Sequence, residues 1–212
     1  MLPDLLKIFF HLDEFLGAAI QQYGVFVYLI VFVIVFMETG LVLTPFLPGD
    51  SLLFVSGTLA STGLLNIFFL FILVAIAAVL GDTVNYWLGS VFGEKVFAKS
   101  RLFKKKYLDQ TKEFYKKHGA ETIILARFIP IVRTFAPFVA GIGKMNYVRF
   151  LIFNVIGALA WVVVFLLGGY FFGSLPFVRN NLTLVTLAII VISMIPPGIE
   201  VWRQWRKSNR HI

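Results

Sequence analysis

Four charged side chains interrupt otherwise apolar, proline-cut stretches of the sequence. Glu38 and Asp50 lie in one stretch, and Arg127 and Arg133 lie in another. A charge at the centre of a bilayer costs between about 2.5 and 17 kcal/mol, so it is kept there for pairing or for function. Arginine offers a planar fork of donors that suits phosphate, and a carboxylate can titrate. The four residues predict either an anion site coupled to protons or an ionic brace.

Further polar side chains accompany these charges. Asp82, Asn85 and Tyr86 follow one another at short spacing, and Thr134 directly follows Arg133. They are secondary candidates for the same site. Asp82 lies towards the end of a predicted span, so a role in capping that helix or in facing the interface stays open.

The composition indicates that these segments lie in a membrane and not in water. Hydrophobic residues make up 59% of the 212 residues, charged residues 14%, and the mean hydropathy is +0.88. Soluble domains carry about a quarter charged residues. The apolar residues also form unbroken runs, which predicts an all-α polytopic membrane protein. Cysteine is absent and the three histidines are scattered, so we expect no disulfide, metal site or cofactor.

The membrane elements follow from the length of the apolar runs, since a spanning helix needs about 20 apolar residues. Residues 1–21 mix apolar and charged positions and predict an amphipathic helix at the membrane interface. The four stretches that approach the spanning length are Tyr23–Met37, Leu64–Trp87, Phe150–Phe172 and Leu182–Pro197.

The proline-cut stretches predict a different element. Proline stops or kinks a helix, so each stretch should break near its middle. Non-helical backbone at membrane depth persists only where protein buries it or where it lines a polar cavity. We therefore expect two re-entrant hairpins, at about 39–62 and at 121–143.

Basic residues orient these elements. Segment 91–118 holds nine Lys or Arg residues, and the tail 201–212 is also basic, so both should face the cytoplasm. The helix at 23–37 would then start inside and the span at 64–87 would return inside, in the opposite direction. The two halves would have inverted topology, as in many secondary transporters. The net charge of +8 does not favour nucleic-acid binding, because no nucleic-acid motif accompanies it.

The ordered motifs resemble the DedA family of bacterial membrane proteins, which share the SNARE-associated or VTT domain. The resemblance covers about residues 25–200 and predicts a transmembrane domain at 22–200. It implies a multi-pass inner-membrane protein with two facing hairpins, linked to flipping of undecaprenyl phosphate and to the proton motive force. Its essential acids fall on Glu38 and Asp50, and its essential arginines on Arg127 and Arg133. The motifs that carry it are Glu38-Thr-Gly, Pro45-Phe-Leu-Pro-Gly-Asp50, Gly81-Asp-x-x-Asn-Tyr86, His118-Gly and Ala126-Arg-Phe-Ile-Pro-Ile-Val-Arg-Thr134.

Together these features predict a transporter of a lipid phosphate, with Arg127 and Arg133 on the phosphate and Glu38 or Asp50 carrying the proton. Open alternatives are a general phospholipid scramblase, a transporter of a cation or drug, and a non-transport protein of envelope maintenance. An intramembrane phosphatase is disfavoured because no nucleophile with its acid accompanies His118, so no enzyme is expected. The expected partners are membrane lipids, the lipid phosphate and protons, and a homo-oligomer is left open.

Overall fold

The regular structure of the described residues is entirely helical. A computed structural model describes residues 12–41, 49–99, 119, 121–181, 184–185 and 188–189, and these contain no strand. The helices in chain order are α1 (Leu12–Tyr23), α2 (Val27–Gly40), α3 (Gly49–Ser61), α4 (Ile67–Lys99), α5 (Thr122–Ala126), α6 (Pro130–Ile142), α7 (Tyr147–Val162), α8 (Gly168–Phe172) and α9 (Pro176–Asn180). A 3-10 turn at Gly24–Phe26 links α1 to α2, and a π-helical segment at Val163–Leu167 joins α7 to α8.

Three helical stretches are long and apolar enough to cross a membrane. They are Phe15–Gly40, Ile67–Phe92 and Tyr147–Phe172, each of 26 residues. At 1.5 Å per residue each is about 39 Å long, more than the roughly 30 Å of a hydrocarbon core. The all-α membrane class is thereby confirmed. The predicted fourth span, the tail and the part of the basic segment beyond Lys99 lie outside the described residues, apart from isolated positions.

The first of these stretches bends between α1 and α2. Gly24 has a φ of +54°, which glycine adopts at little cost and a regular α-helix does not contain. Leu16 and Ala19 of α1 are buried in the main hydrophobic cluster, and α1 packs against α3. The straight part that follows, α2, has 14 residues and is therefore about 21 Å long. The interfacial placement of residues 1–21 stays a prediction.

α2 and α4 run side by side in the same direction, and the predicted opposite directions are wrong. Near the start of both helices, the backbone N–H of Asn66 donates to the Tyr28 hydroxyl at 2.6 Å. Near the end of α2, Gly40 packs on Gly81, where an added Cβ would lie 3.3 Å from the Gly81 Cα. Hydropathy alone could not show that α3 returns the chain to the starting level of α2.

The return by α3 is visible at its first residue. The Gly49 N–H donates to a Glu38 carboxylate oxygen at 3.1 Å, which joins the end of α2 to the start of α3. From there α3 runs back to the turn that precedes Asn66. α2 and α3 are therefore antiparallel neighbours, with residues 42–48 between them.

The second part of the chain packs on the first through two close helix crossings. α3 crosses the helical stretch that ends in α8, and α6 crosses α4. At both crossings a backbone meets a backbone, so any side chain in place of glycine would push the helices apart. Four glycines would each bring a Cβ within about 2 Å of a partner carbonyl oxygen: Gly57 at Leu166 (2.1 Å), Gly169 at Phe54 (2.0 Å), Gly89 at Phe138 (2.0 Å) and Gly141 at Tyr86 (2.1 Å).

Candidate functional site

Arg133 is held by two carboxylates. Its Nη1 donates to Asp50 Oδ1 at 2.6 Å, and its Nη2 donates to Glu38 Oε1. All three side chains are buried. The two acids come from the adjoining ends of α2 and α3, so one guanidinium links that helical pair to α6.

Local sequence places these three groups. Glu38 lies in the last turn of α2, and Asp50 lies in the first turn of α3, where a helix N-terminus favours a carboxylate. Before α6 the backbone of Ile129 is extended, and Pro130 occupies the first turn of the helix. The predicted break of the second stretch is thus found before Pro130, whereas Pro137 lies within α6 without ending it.

Arg127 occupies a different network. Its Nη2 donates to Asp82 Oδ2 and, at 2.6 Å, to Asn154 Oδ1. The Asn154 amide in turn donates to the Val79 carbonyl at 3.1 Å, which ties α7 to α4. Asp82 lies near the middle of Ile67–Phe92 and is buried, so its alternative reading as a cap or interfacial group is wrong.

Trp161 connects the two networks. Its indole Nε1–H donates to Asp50 Oδ1 at 2.8 Å. The centroid of its ring lies 5.3 Å from the Arg133 guanidinium carbon and 6.0 Å from that of Arg127. Both distances suit cation–π attraction, so one aromatic ring contacts the two cations.

Asn85 aligns the backbone beside the Glu38–Arg133 pair. Its amide nitrogen donates to the carbonyls of Thr39 at 3.2 Å and Thr134 at 2.7 Å. These residues directly follow Glu38 and Arg133 in the chain. Thr134 therefore belongs to the site through its carbonyl, and Asn85 through its amide.

Tyr86, the remaining secondary candidate, belongs to another cluster. Its hydroxyl donates to the Met145 carbonyl, and its ring stacks on Phe150 with 4.6 Å between centroids. The structure thus brings seven of the eight predicted residues into one connected region and leaves Tyr86 at its border.

A small cavity lies between the two arginines. Its volume is about 10 Å³, room for about one water molecule. Within the described part of the chain, Arg127 Nη1, Arg133 Nε and Glu38 Oε2 are buried and have no hydrogen-bond partner. Three carboxylates and two guanidiniums share the region. The cavity is lined by Thr39, Asp82, Ile123, Arg127, Arg133, Pro137 and Trp161.

Sequence reasoning missed Asn154 and Trp161. Asn154 is a single amide in the apolar run of α7, and a polar residue at membrane depth is by itself a signal of function. A search of the apolar runs for uncharged polar residues, as well as for charged ones, identifies Asn154. Trp161 resembles any apolar aromatic residue of a span, and only its contacts distinguish it.

Three long apolar helical stretches that enclose a buried ionic network define the class, a polytopic membrane protein. The VTT domain matches residues 47–171 of the chain. The chain is 55% identical to "Protein DedA" of Escherichia coli K12 over 210 residues, which cover 97% of this chain and 96% of that protein. The chain therefore belongs to the VTT-domain, or DedA, family.

Two further relatives are more distant. "Uncharacterized membrane protein ML0287" of Mycobacterium leprae is 45% identical over 180 residues, 84% of this chain and 81% of that protein. "Inner membrane protein YqjA" of Escherichia coli K12 is 31% identical over 192 residues, 86% of this chain and 87% of that protein. No solved structure matches the chain.

Proposed function

We propose that this protein is a flippase of a polyprenyl phosphate of the undecaprenyl type, coupled to the proton motive force of the bacterial inner membrane. One observation carries the proposal. Two buried arginines line the same cavity, and each keeps one donor nitrogen without a partner among the described residues. Paired guanidinium donors are the groups that bind phosphate oxygens best. The family and the name of its inner-membrane relative support the location.

Charge balance supports the coupling to protons. Counted over the residues that the structure describes, the region holds one more carboxylate than guanidiniums, and a phosphate adds further negative charge. A buried charge without a partner is costly, so the acids should gain a proton when the anion enters. Glu38 and Asp50 are the proposed carriers, because both face Arg133.

The fold suits proton-coupled transport of a lipid phosphate if its broken helices are re-entrant hairpins. We propose that α2 and α3 form the first hairpin, in place of residues 39–62, and that α5 and α6 form the second. Each returning helix makes one of the two glycine crossings, at Gly57 in α3 and at Gly141 in α6, three residues after a phenylalanine. This correspondence supports two inverted halves whose tips meet at the site.

This arrangement makes a topology prediction. Because α2 and α4 start at the same end, Gln22 and Thr62 should face one side of the membrane and Lys95 the other, with Lys95 cytoplasmic. The chain has no cysteine, so single cysteines report without background. In intact cells an impermeant maleimide should label cysteines at 22 and 62 and spare the one at 95. Labelling of 62 without 22 would reject the hairpin.

A cation transporter is the second candidate, and the excess of carboxylates favours it. Glu38 Oε2 is buried without a partner and could accept a bond from a cation. The lining of the cavity argues against this function, because two guanidiniums and one carboxylate would face the substrate. The lipid phosphate is therefore preferred.

Reconstitution in liposomes tests the function. Purified protein should speed the exchange of undecaprenyl phosphate between leaflets, and a pH gradient should change the rate. Protein-free liposomes and liposomes with Arg133→Ala serve as controls. Exchange no faster than in protein-free liposomes would reject the proposal. Faster movement of ordinary phospholipids alone would favour a scramblase, and uptake of an organic cation alone would favour the second candidate.

A further inference from the structure

Asp82 differs from the other two acids of the region in its position. Among the described residues it is the one carboxylate that lines the cavity, together with both arginines. Glu38 and Asp50 bind Arg133 through Nη2 and Nη1 and do not line the cavity. An anion bound between the arginines would therefore lie next to Asp82.

The size of the cavity requires a side chain to move. A volume of about 10 Å³ holds about one water molecule, whereas a phosphate group has five heavy atoms. Asp82 already occupies Arg127 Nη2 with a negative charge. A phosphate on Arg127 would repel this carboxylate, because like charges at close range oppose each other.

We propose that Asp82 is an internal anion that holds Arg127 while the site is without substrate, and that the phosphate of the substrate replaces it. This inference rests on the proposed function. Asn154 keeps its own contact with Arg127 Nη2 and is fixed to α4 through the Val79 carbonyl. The guanidinium therefore stays in position while its charged partner is exchanged.

A binding experiment on the full chain in detergent tests the exchange. The probe is geranyl phosphate, a short prenyl monophosphate, measured by calorimetry, with geraniol as the control for the apolar tail. Asp82→Asn removes the competing charge and should tighten phosphate binding about tenfold, equivalent to about 1.4 kcal/mol. Glu121→Gln makes the same chemical change at an exposed position outside the site and should leave the affinity unchanged.

The outcomes separate the inference from the function. If the parent protein binds geranyl phosphate no better than geraniol, the phosphate site itself is rejected. If the parent protein binds it and a folded Asp82→Asn variant binds equally or more weakly, the role of Asp82 is rejected while the phosphate site stands. Asp82→Ser removes the same carboxylate with a smaller side chain and must also tighten binding, with folding checked by melting temperature.

Discussion

The two arginines of the site have opposite surroundings. Arg133 is held by two acids, from the end of α2 and the start of α3. Arg127 is held by one acid of α4 and by the neutral amide of Asn154 on α7. The Arg133 guanidinium joins the α2–α3 pair to α6, whereas the Arg127 guanidinium is bonded to side chains of α4 and α7. Movement of α3 would change the partners of Arg133 and leave those of Arg127 in place.

This contrast suggests a division of labour. The partners of Arg127 have the features of a fixed anchor, because Asp82 and Asn154 both lie on long apolar helices. The Arg133 network has the features of a releasable contact, because neutralising Glu38 or Asp50 removes one of its two charged partners. Under the proposed function, the phosphate would then meet one arginine with constant partners and a second whose hold on α2 and α3 varies.

The largest effect is expected from removing Arg133. Arg133→Ala removes the cation that Glu38 and Asp50 both contact, and breaking a buried pair costs about 3 to 5 kcal/mol. The melting temperature in detergent should fall strongly, and transport should be lost.

A double substitution separates charge from function in that variant. Glu38→Gln with Asp50→Asn, added to Arg133→Ala, removes the unmatched charges and should restore most of the melting temperature without restoring transport. Recovery of transport together with stability would mean that Arg133 is only a brace.

The same residues show which parts of the site the sequence could predict and which parts it could not. Glu38, Asp50, Arg127 and Arg133 could be found because charges in apolar runs are conspicuous. The pairing of Arg127 with Asp82 could not, because 45 residues separate them and helix packing decides which acid reaches which arginine. The direction of α2 relative to α4 was also hidden, since hydropathy cannot tell a crossing helix from a returning one.

A smaller effect distinguishes the two arginines by geometry. Arg133 uses two nitrogens for two acids, whereas Arg127 uses Nη2 alone for both partners. Lysine offers a point charge in place of a fork. Arg133→Lys should therefore lose a charge-assisted hydrogen bond, about 1.5 to 3 kcal/mol, and Arg127→Lys should lose less. Equal melting temperatures would remove the contrast. Both variants should impair transport if both arginines bind phosphate bidentately.

The smallest effect concerns Trp161, which contacts both arginines and donates its indole N–H to Asp50, a partner of Arg133. Trp161→Phe keeps an aromatic ring beside the two cations and loses the donor to Asp50, at a cost of about 1 kcal/mol. Trp161→Leu also removes the cation–π contacts, each worth about 0.5 to 2 kcal/mol. We expect Trp161→Phe to lower the melting temperature less than Trp161→Leu does.

Because Asp50 would depend more heavily on Arg133 in the Trp161→Phe variant, this substitution should also make Arg133→Lys more damaging than it is in the parent protein. Additive effects of the two substitutions would show that the indole N–H does not take part in the Arg133 network.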